Sequence, residues 1–257
     1  MIFFSWYVKM ILVGKYAGVM ELADVLDSKS SGSDTVSVRP RSPAPENLVI
    51  LARFFYFQKT IYFRAFWGGF MQKFELFQLI DEKLTKCSRL VIAIDGGAAS
   101  GKTTLAAELA ERYGGSVIHM DDFFLQPHQR TQKRLSEVGG NLDRERFQSE
   151  VIPFLRANEG FSYQRFDCSM MALGEMISVP KAPLFIVEGS YSHHPAFGEP
   201  YDLKIFLHTD VEKQASRILA RNGEKSYEMF KNRWIPMENR YFEAFSIENK
   251  ANIVIEG

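Results

Sequence analysis

The sequence predicts a three-layer α/β fold, an open parallel sheet with helices on both faces, on three observations. Short apolar runs (LVIAID, SVIHM, LFIVE and KIFL) recur between longer stretches of helical periodicity. A glycine-rich loop joins the first run to KTTLAAELAERY, giving strand, loop and helix in succession. Acidic residues stand directly after two of the runs, where an open α/β sheet places its ligands.

The chain has 257 residues, 46% hydrophobic and 24% charged, the composition of a globular protein with a full core. Lysine plus arginine and aspartate plus glutamate balance at 31 each, so no global basic field points to nucleic acid or an acidic membrane surface. The expected partner is a small-molecule substrate, and a homo-oligomer is compatible with the sequence. Cys87 and Cys168 lie far apart and outside any CxxC or Cys/His cluster, which argues against a disulfide framework or a zinc site and for a reducing cytoplasm.

Residues 1–70 read as a non-domain extension. MIFFSWYVKMILVG is interrupted by Lys9 and lacks a basic region and a cleavage site, so a signal peptide is not expected. Arg53, Lys59 and Arg64 recur too often in Asn47–Met71 for a membrane span. Ser28–Pro45 is rich in serine and proline without periodicity, and reads as disordered. Gly18–Pro45 is also similar to the peptide produced when a transfer-RNA gene is translated in frame. That resemblance implies upstream genomic sequence joined to a protein starting at Met71. The alternative is a genuine disordered or membrane-associating extension, and the intact mass of the native protein separates the two.

From Met71 the pattern becomes regular. Phe74, Leu76, Phe77, Leu79, Ile80 and Leu84 recur at helical intervals ahead of the strand Leu90–Ile94. The loop that follows, Gly96, Gly97, Ala98, Ala99, Ser100, Gly101, Lys102, Thr103 and Thr104, fits GxxxxGK[ST] between strand and helix. Its backbone N–H groups and the helix N-terminus suit the phosphates of ATP. Lys102 is expected to reach the β and γ phosphates, and Thr103 to hold Mg²⁺. NKAN at Asn249–Asn252 lacks the aspartate of a guanine-reading motif and is read as coincidence.

SVIHM leads into Asp121 and Asp122, and LFIV ends at Glu188. Asp121 can take a proton from an attacking hydroxyl, and Glu188 can orient Mg²⁺. Asp122 either shares in this chemistry or caps the following turn, since a side chain next to Asp121 should point elsewhere. Further on, Arg217 and Arg221 lie four apart on one helical face, with Asn222 and Gly223 as a stop and Arg233 beyond. Arginines on a mobile helical segment suit a lid that neutralises a transferring phosphoryl group, and a solvated helix face is the plainer alternative. His193 and His194 have no partners at ligand spacing and read as structural or pocket residues. His128 and Arg130 either line the acceptor pocket or are solvated loop residues. Met170, Met171 and Met176 are expected to pack the hairpin Phe161–Val179.

Taken together, IDGGAASGKTTLA, HMDDFF, GGNLDRERF, YQRFDC, IVEGSYSHHP, YDLKIFL and NRWIPMENRYFEAF resemble the uridine kinase family of P-loop kinases over about Gln72–Gly257. The resemblance implies a P-loop NTPase fold of the nucleoside/nucleotide kinase type, with a hairpin insertion and an arginine-bearing lid over residues 71–257. It implies ATP as co-substrate, Mg²⁺, and transfer to the 5′-hydroxyl of uridine or cytidine. Asp121 falls on the family's base and Glu188 on its Walker B glutamate. Asp143 falls on its ribose-binding aspartate, and Arg165, Phe166 and Asp167 fall loosely on its base-pocket element. Phe124 replaces the family's tyrosine, and the base-reading segment is only weakly similar. Other acceptors (pantothenate, a sugar phosphate, nicotinamide riboside) therefore stay open, as does an ATP-binding regulator.

Overall fold

The computed structural model describes residues 71–257 apart from Asn158. The readings placed on residues 1–70 lie outside the described residues. An opening helix α1 (Lys73–Lys86) buries Leu76, Leu79 and Ile80, while Phe74, expected on its apolar face, is 53% exposed. Strand β1 (Leu90–Gly96) follows, then α2 (Lys102–Tyr113) and β2 (Ser116–His119). After β2 come a 3₁₀ turn (Met120–Phe123), the short helices α3 (Gln132–Ser136), α4 (Arg144–Glu150) and α5 (Ile152–Ala157), and the hairpin β3 (Phe161–Asp167) and β4 (Ala172–Val179). The chain then returns through β5 (Leu184–Glu188) and β6 (Leu203–His208) to α6 (Val211–Met229), α7 (Ile235–Phe245), α8 (Ile247–Lys250) and β7 (Ile253–Glu256).

Five strands form one parallel sheet in the order β2-β5-β1-β6-β7. β1 and β5 are buried along their whole length, as parallel strands covered on both faces must be. Their alternating side chains divide the core. Leu90, Ile92, Ile94, Leu184 and Ile186 pack with α1 and α2, whereas Val91, Phe185 and Val187 pack with Phe123, Phe147, Tyr163 and Tyr241 on the other face. From β1 the chain runs out to β2 on the β5 side, and after β5 it crosses to β6 on the other side of β1, so the winding reverses at β1 and a crevice opens at its carboxyl end. The sequence places the phosphate loop there.

One expectation is corrected in the hairpin. Met170 and Met176 do not pack it: Met170 lies in the turn between the strands and Met176 on β4, which turns its side chains mostly to solvent, and they are 63% and 64% exposed. The buried face belongs to β3, where Phe161 and Tyr163 alternate and an irregularity between Gln164 and Phe166 slips the alternation so that Phe166 is buried too. The stop expected at Asn222 and Gly223 falls where α6 breaks: Gly223, with φ 77° and ψ 170°, is not helical, and a second helical segment follows it to Met229. A widened turn at Phe230–Trp234 follows, just before Pro236, which can neither donate to the carbonyl one turn back nor fit beside it.

His193 and His194 are buried structural residues. His193 donates its backbone N–H to Asp95 Oδ2 (2.9 Å), and the ring of His194 stacks on Tyr241 at 6.0 Å. Burial lowers the pKa of both rings, that of His194 to about 4. No helix among the described residues is long and apolar enough to cross a membrane.

Candidate active site

The phosphate loop spans the gap between β1 and α2. Gly96 is required at its start, since φ is +146° and a Cβ would meet Leu207 O at 2.5 Å. Ala99 takes the left-handed region at φ 57°, a cost of about 1–3 kcal/mol that the surrounding contacts must offset. Lys102 Nζ donates to Gly96 O (2.9 Å) and Gly97 O (2.8 Å), so its ammonium lies across the loop.

The apex of the loop is braced by residues that the motifs did not identify. Ala98 N–H donates to Glu238 Oε2 on α7 (2.8 Å), and Ala98 O accepts from Gln214 Nε2 on α6 (2.9 Å). Arg217 Nη1 donates to Ala99 O (3.2 Å). The second oxygen of Glu238 accepts from Ser190 Oγ (2.7 Å), in the turn that follows Glu188. Burial pushes the Glu238 carboxyl above the usual carboxylate range, while Lys102, Ser190 and the Ala98 N–H pull it back. Its signal in the sequence was weak: a glutamate three residues before Tyr241, the two sharing the buried face of α7.

Two acidic strand ends converge on this loop. Glu188 closes β5, and its oxygens lie 3.3 and 3.4 Å from Thr103 Oγ1. On the neighbouring strand His119 pairs in register with Glu188, and its Nδ1 lies 2.5 Å from Glu188 Oε1, a bond that raises the histidine pKa. These oxygens suit Mg²⁺, which takes one or two protein ligands and completes its shell with phosphate oxygens and water.

Asp121 sits in the 3₁₀ turn after β2, open to water from the cleft but crowded by protein on its other sides. That crowding raises its pKa; Lys102 acts against the rise and Glu188 adds to it. Asp122 turns away, as alternation expects. It is buried, and its Oδ2 accepts from Tyr163 O–H (2.7 Å), which ties the turn to the hairpin.

Loop, strand ends and lid line one cleft of about 1240 Å³, larger than the roughly 300–1,000 Å³ typical of a single small-molecule site. Its walls include Asp121, Lys102, Thr103 and Glu188, with Arg217 and Arg221 from α6 and Arg233 from the turn after it. Arg221 Nε donates to Asn222 Oδ1 (2.6 Å), and Arg233 lies 4.7 Å over the Trp234 ring. The structure thus brings together the residues assigned to nucleotide, metal and proton transfer.

The residues assigned to the acceptor are not gathered in the same way. Asp143 is 2% exposed and caps α4, accepting from Arg146 N–H (3.1 Å) and Gln129 Nε2 (2.9 Å). Arg165 pairs with Glu175 across the hairpin (2.8 Å), Phe166 is buried, and His128 is exposed on a short turn. None of these four lines the cleft, whereas Arg130 and Arg233, also expected on the acceptor side, do, with Phe124, Asn141, Cys168, Met171 and Tyr191.

Sheet order and phosphate loop define a three-layer α/β fold with a P-loop after its first strand. Two solved structures share it. The "Possible Uridine Kinase" from Bacillus stearothermophilus superimposes with a TM-score of 0.53 at 22% identity, covering 71% of this chain and all (100%) of that one. A "putative fructose transport system kinase" from Silicibacter sp. TM1040 gives 0.51 at 21%, covering 69% and 97%. No protein-family model matches the sequence, and no curated protein matches it.

Proposed function

We propose that the protein transfers the γ-phosphoryl group of ATP to a hydroxyl of a small molecule. The observation that carries this is the position of Asp121, a carboxyl of raised pKa in the same cleft as Lys102 and the Thr103–Glu188 pair. The acceptor oxygen bonds to the γ-phosphorus as the bond to the β–γ bridging oxygen breaks. ADP leaves with that electron pair, and the hydroxyl proton passes to Asp121. Lys102 and the loop amides hold the phosphates, and Arg217, Arg221 and Arg233 meet the charge on the moving phosphoryl group. Thr103 and Glu188 are the residues that would hold Mg²⁺, which when bound neutralises phosphate charge.

The resemblance of the motifs supports a nucleoside acceptor, uridine or cytidine, phosphorylated on its 5′-hydroxyl. A second reading, transfer to another acceptor such as pantothenate, a sugar phosphate or nicotinamide riboside, is favoured by the burial of Asp143 and Phe166 away from the cleft. We also place the start of the catalytic domain at Met71, which is buried and donates its N–H to Val254 O (2.9 Å). The free thiols of Cys87 and Cys168 support a reducing, cytoplasmic location. ADP release from ATP and Mg²⁺ across a panel of these acceptors tests the reading. Turnover of one acceptor, lost in Asp121→Ala, is expected. ATP binding without transfer to any acceptor would make the protein an ATP-binding regulator instead.

A further inference from the structure

Arg130 carries a charge that the nucleotide does not account for. It closes the short turn Pro127–Gln129 and lines the cleft on the side of Asp121, with Asn141, Cys168 and Met171. The cations expected to meet ATP come from elsewhere, Lys102 from the loop and Arg217 and Arg221 from α6. Neighbouring arginines are matched by carboxylates: Arg134 by Glu145 (2.7 Å), Arg144 by Glu137 (2.6 Å), and Arg165 by Glu175 (2.8 Å). Among the described residues Arg130 has no such partner. Its Nη1 reaches only the thioether of Met171 (3.9 Å), a weak acceptor, and its Nε is buried without any. A half-buried guanidinium without an anion is a net cost to the fold, which an anionic ligand would offset.

The wall around it is built toward the cleft. Met171, at the hairpin tip, takes φ +53°, a strained conformation for a residue with a side chain, and holds its sulfur against the guanidinium. Asn141 is 3% exposed and lines the same cleft; its side chain hydrogen-bonds to Tyr191, and its buried Oδ1 has no partner among the described residues. Burial pushes the Cys168 thiol up in pKa; Asp121 adds to that rise and Arg130 opposes it.

We infer that Arg130 binds an oxyanion carried by the phosphoryl acceptor, a hydroxyl-bearing small molecule with a carboxylate or phosphate monoester. The inference rests on the kinase reading above for what happens to that molecule, but not for its binding. A guanidinium gives such an oxyanion parallel N–H donors, and Asn141 adds a contact for a hydroxyl. A neutral nucleoside leaves Arg130 unmatched.

Two matched pairs test this with the full chain: ribose against ribose 5-phosphate, and glycerol against glycerate. Calorimetric titration of each into protein saturated with ADP and Mg²⁺ reads binding without turnover, and ADP release from ATP reads transfer. We expect at least one anionic member to bind about tenfold or more tightly than its neutral partner, and Arg130→Ala to abolish that preference with ADP affinity unchanged. Arg130→Lys should restore part of it, and equal melting temperatures for both variants separate lost recognition from lost folding. The phosphate and carboxylate arms identify which oxyanion is held. Equal binding within both pairs, absence of binding by both anions, or an anion preference that survives Arg130→Ala overturns the assignment. Arg130-dependent binding without ADP release retires the kinase reading and leaves the anion site standing. Turnover of a neutral acceptor, indifferent to Arg130, does the reverse.

Discussion

Asp121 and Glu238 are both carboxyls raised in pKa by desolvation, Asp121 by protein crowded around a side chain open to the cleft and Glu238 by burial. Asp121 faces the cleft, and only its ionised form accepts a proton. A raised pKa therefore moves the loss of rate on acidification to higher pH: kcat/KM should fall below neutrality at a pH above the ordinary carboxylate range. Asp121→Asn should lower kcat about 10²–10⁴-fold with the ATP dissociation constant unchanged, and equal loss of both would show that Asp121 is structural. Glu238 instead binds the protein, holding Ala98 N–H and Ser190 O–H at once. Glu238→Ala leaves that N–H unsatisfied and should raise KM for ATP about tenfold. Glu238→Gln should stay close to wild type, because its amide accepts from Ala98 and donates to Ser190, whose own proton then turns to Gly96 O, 3.1 Å away. A KM for ATP that does not change in the alanine variant would remove Glu238 from the nucleotide site.

Two elements border the side of the cleft proposed for the acceptor, the 3₁₀ turn with its hairpin and the kinked helix α6. The turn is locked to β3 by the bond from Tyr163 to Asp122, both partners buried. Tyr163→Phe leaves the Asp122 carboxylate without its donor and should cost about 1–3 kcal/mol in chemical denaturation. Because the hairpin also carries Cys168 and Met171 into the cleft, KM for the acceptor should rise while KM for ATP holds. A parallel rise in both would mean that the turn, not the hairpin, has moved. Much of this was legible locally. The loop motif, the acids after apolar runs and the paired arginines each depend on residues close in sequence, and the structure gathers them. Asp143 was read from a motif resemblance, although an aspartate directly ahead of a short helix is also an N-cap, the role it has in the fold. Glu238, Gln214 and Ser190 escaped notice because their bonds to the loop span 140, 116 and, from Gly96 to Ser190, 94 positions. Periodicity could mark Glu238 as buried but not show what it would meet.

At the scale of the whole molecule, one cleft draws its walls from α1 through β7, so a ligand that fills it should bind the native state far better than the unfolded chain. Lys73, the phosphate loop, Asp121, Glu188, the lid arginines and Gly257 all border the same space, and in an unfolded chain none of these are neighbours. Native-state binding adds stability as the logarithm of ligand concentration over dissociation constant, about 2.7 kcal/mol at a hundredfold excess. For a folded unit of this size, each kcal/mol moves the melting temperature by about 2–4 °C, so ATP with Mg²⁺ should raise it by roughly 5–10 °C. Chelating the metal should remove part of that rise, since Thr103 and Glu188 then face the phosphates without a cation between them and two acidic groups oppose each other. Glu188→Gln should lose the metal-dependent part and keep the rest, whereas Lys102→Ala should lose most of the shift with metal present or absent. Differential scanning calorimetry on the three proteins reads all of these. A shift of equal size with and without chelator in the wild type would take Thr103 and Glu188 out of the metal site, and a full shift in Lys102→Ala would take the nucleotide out of the loop.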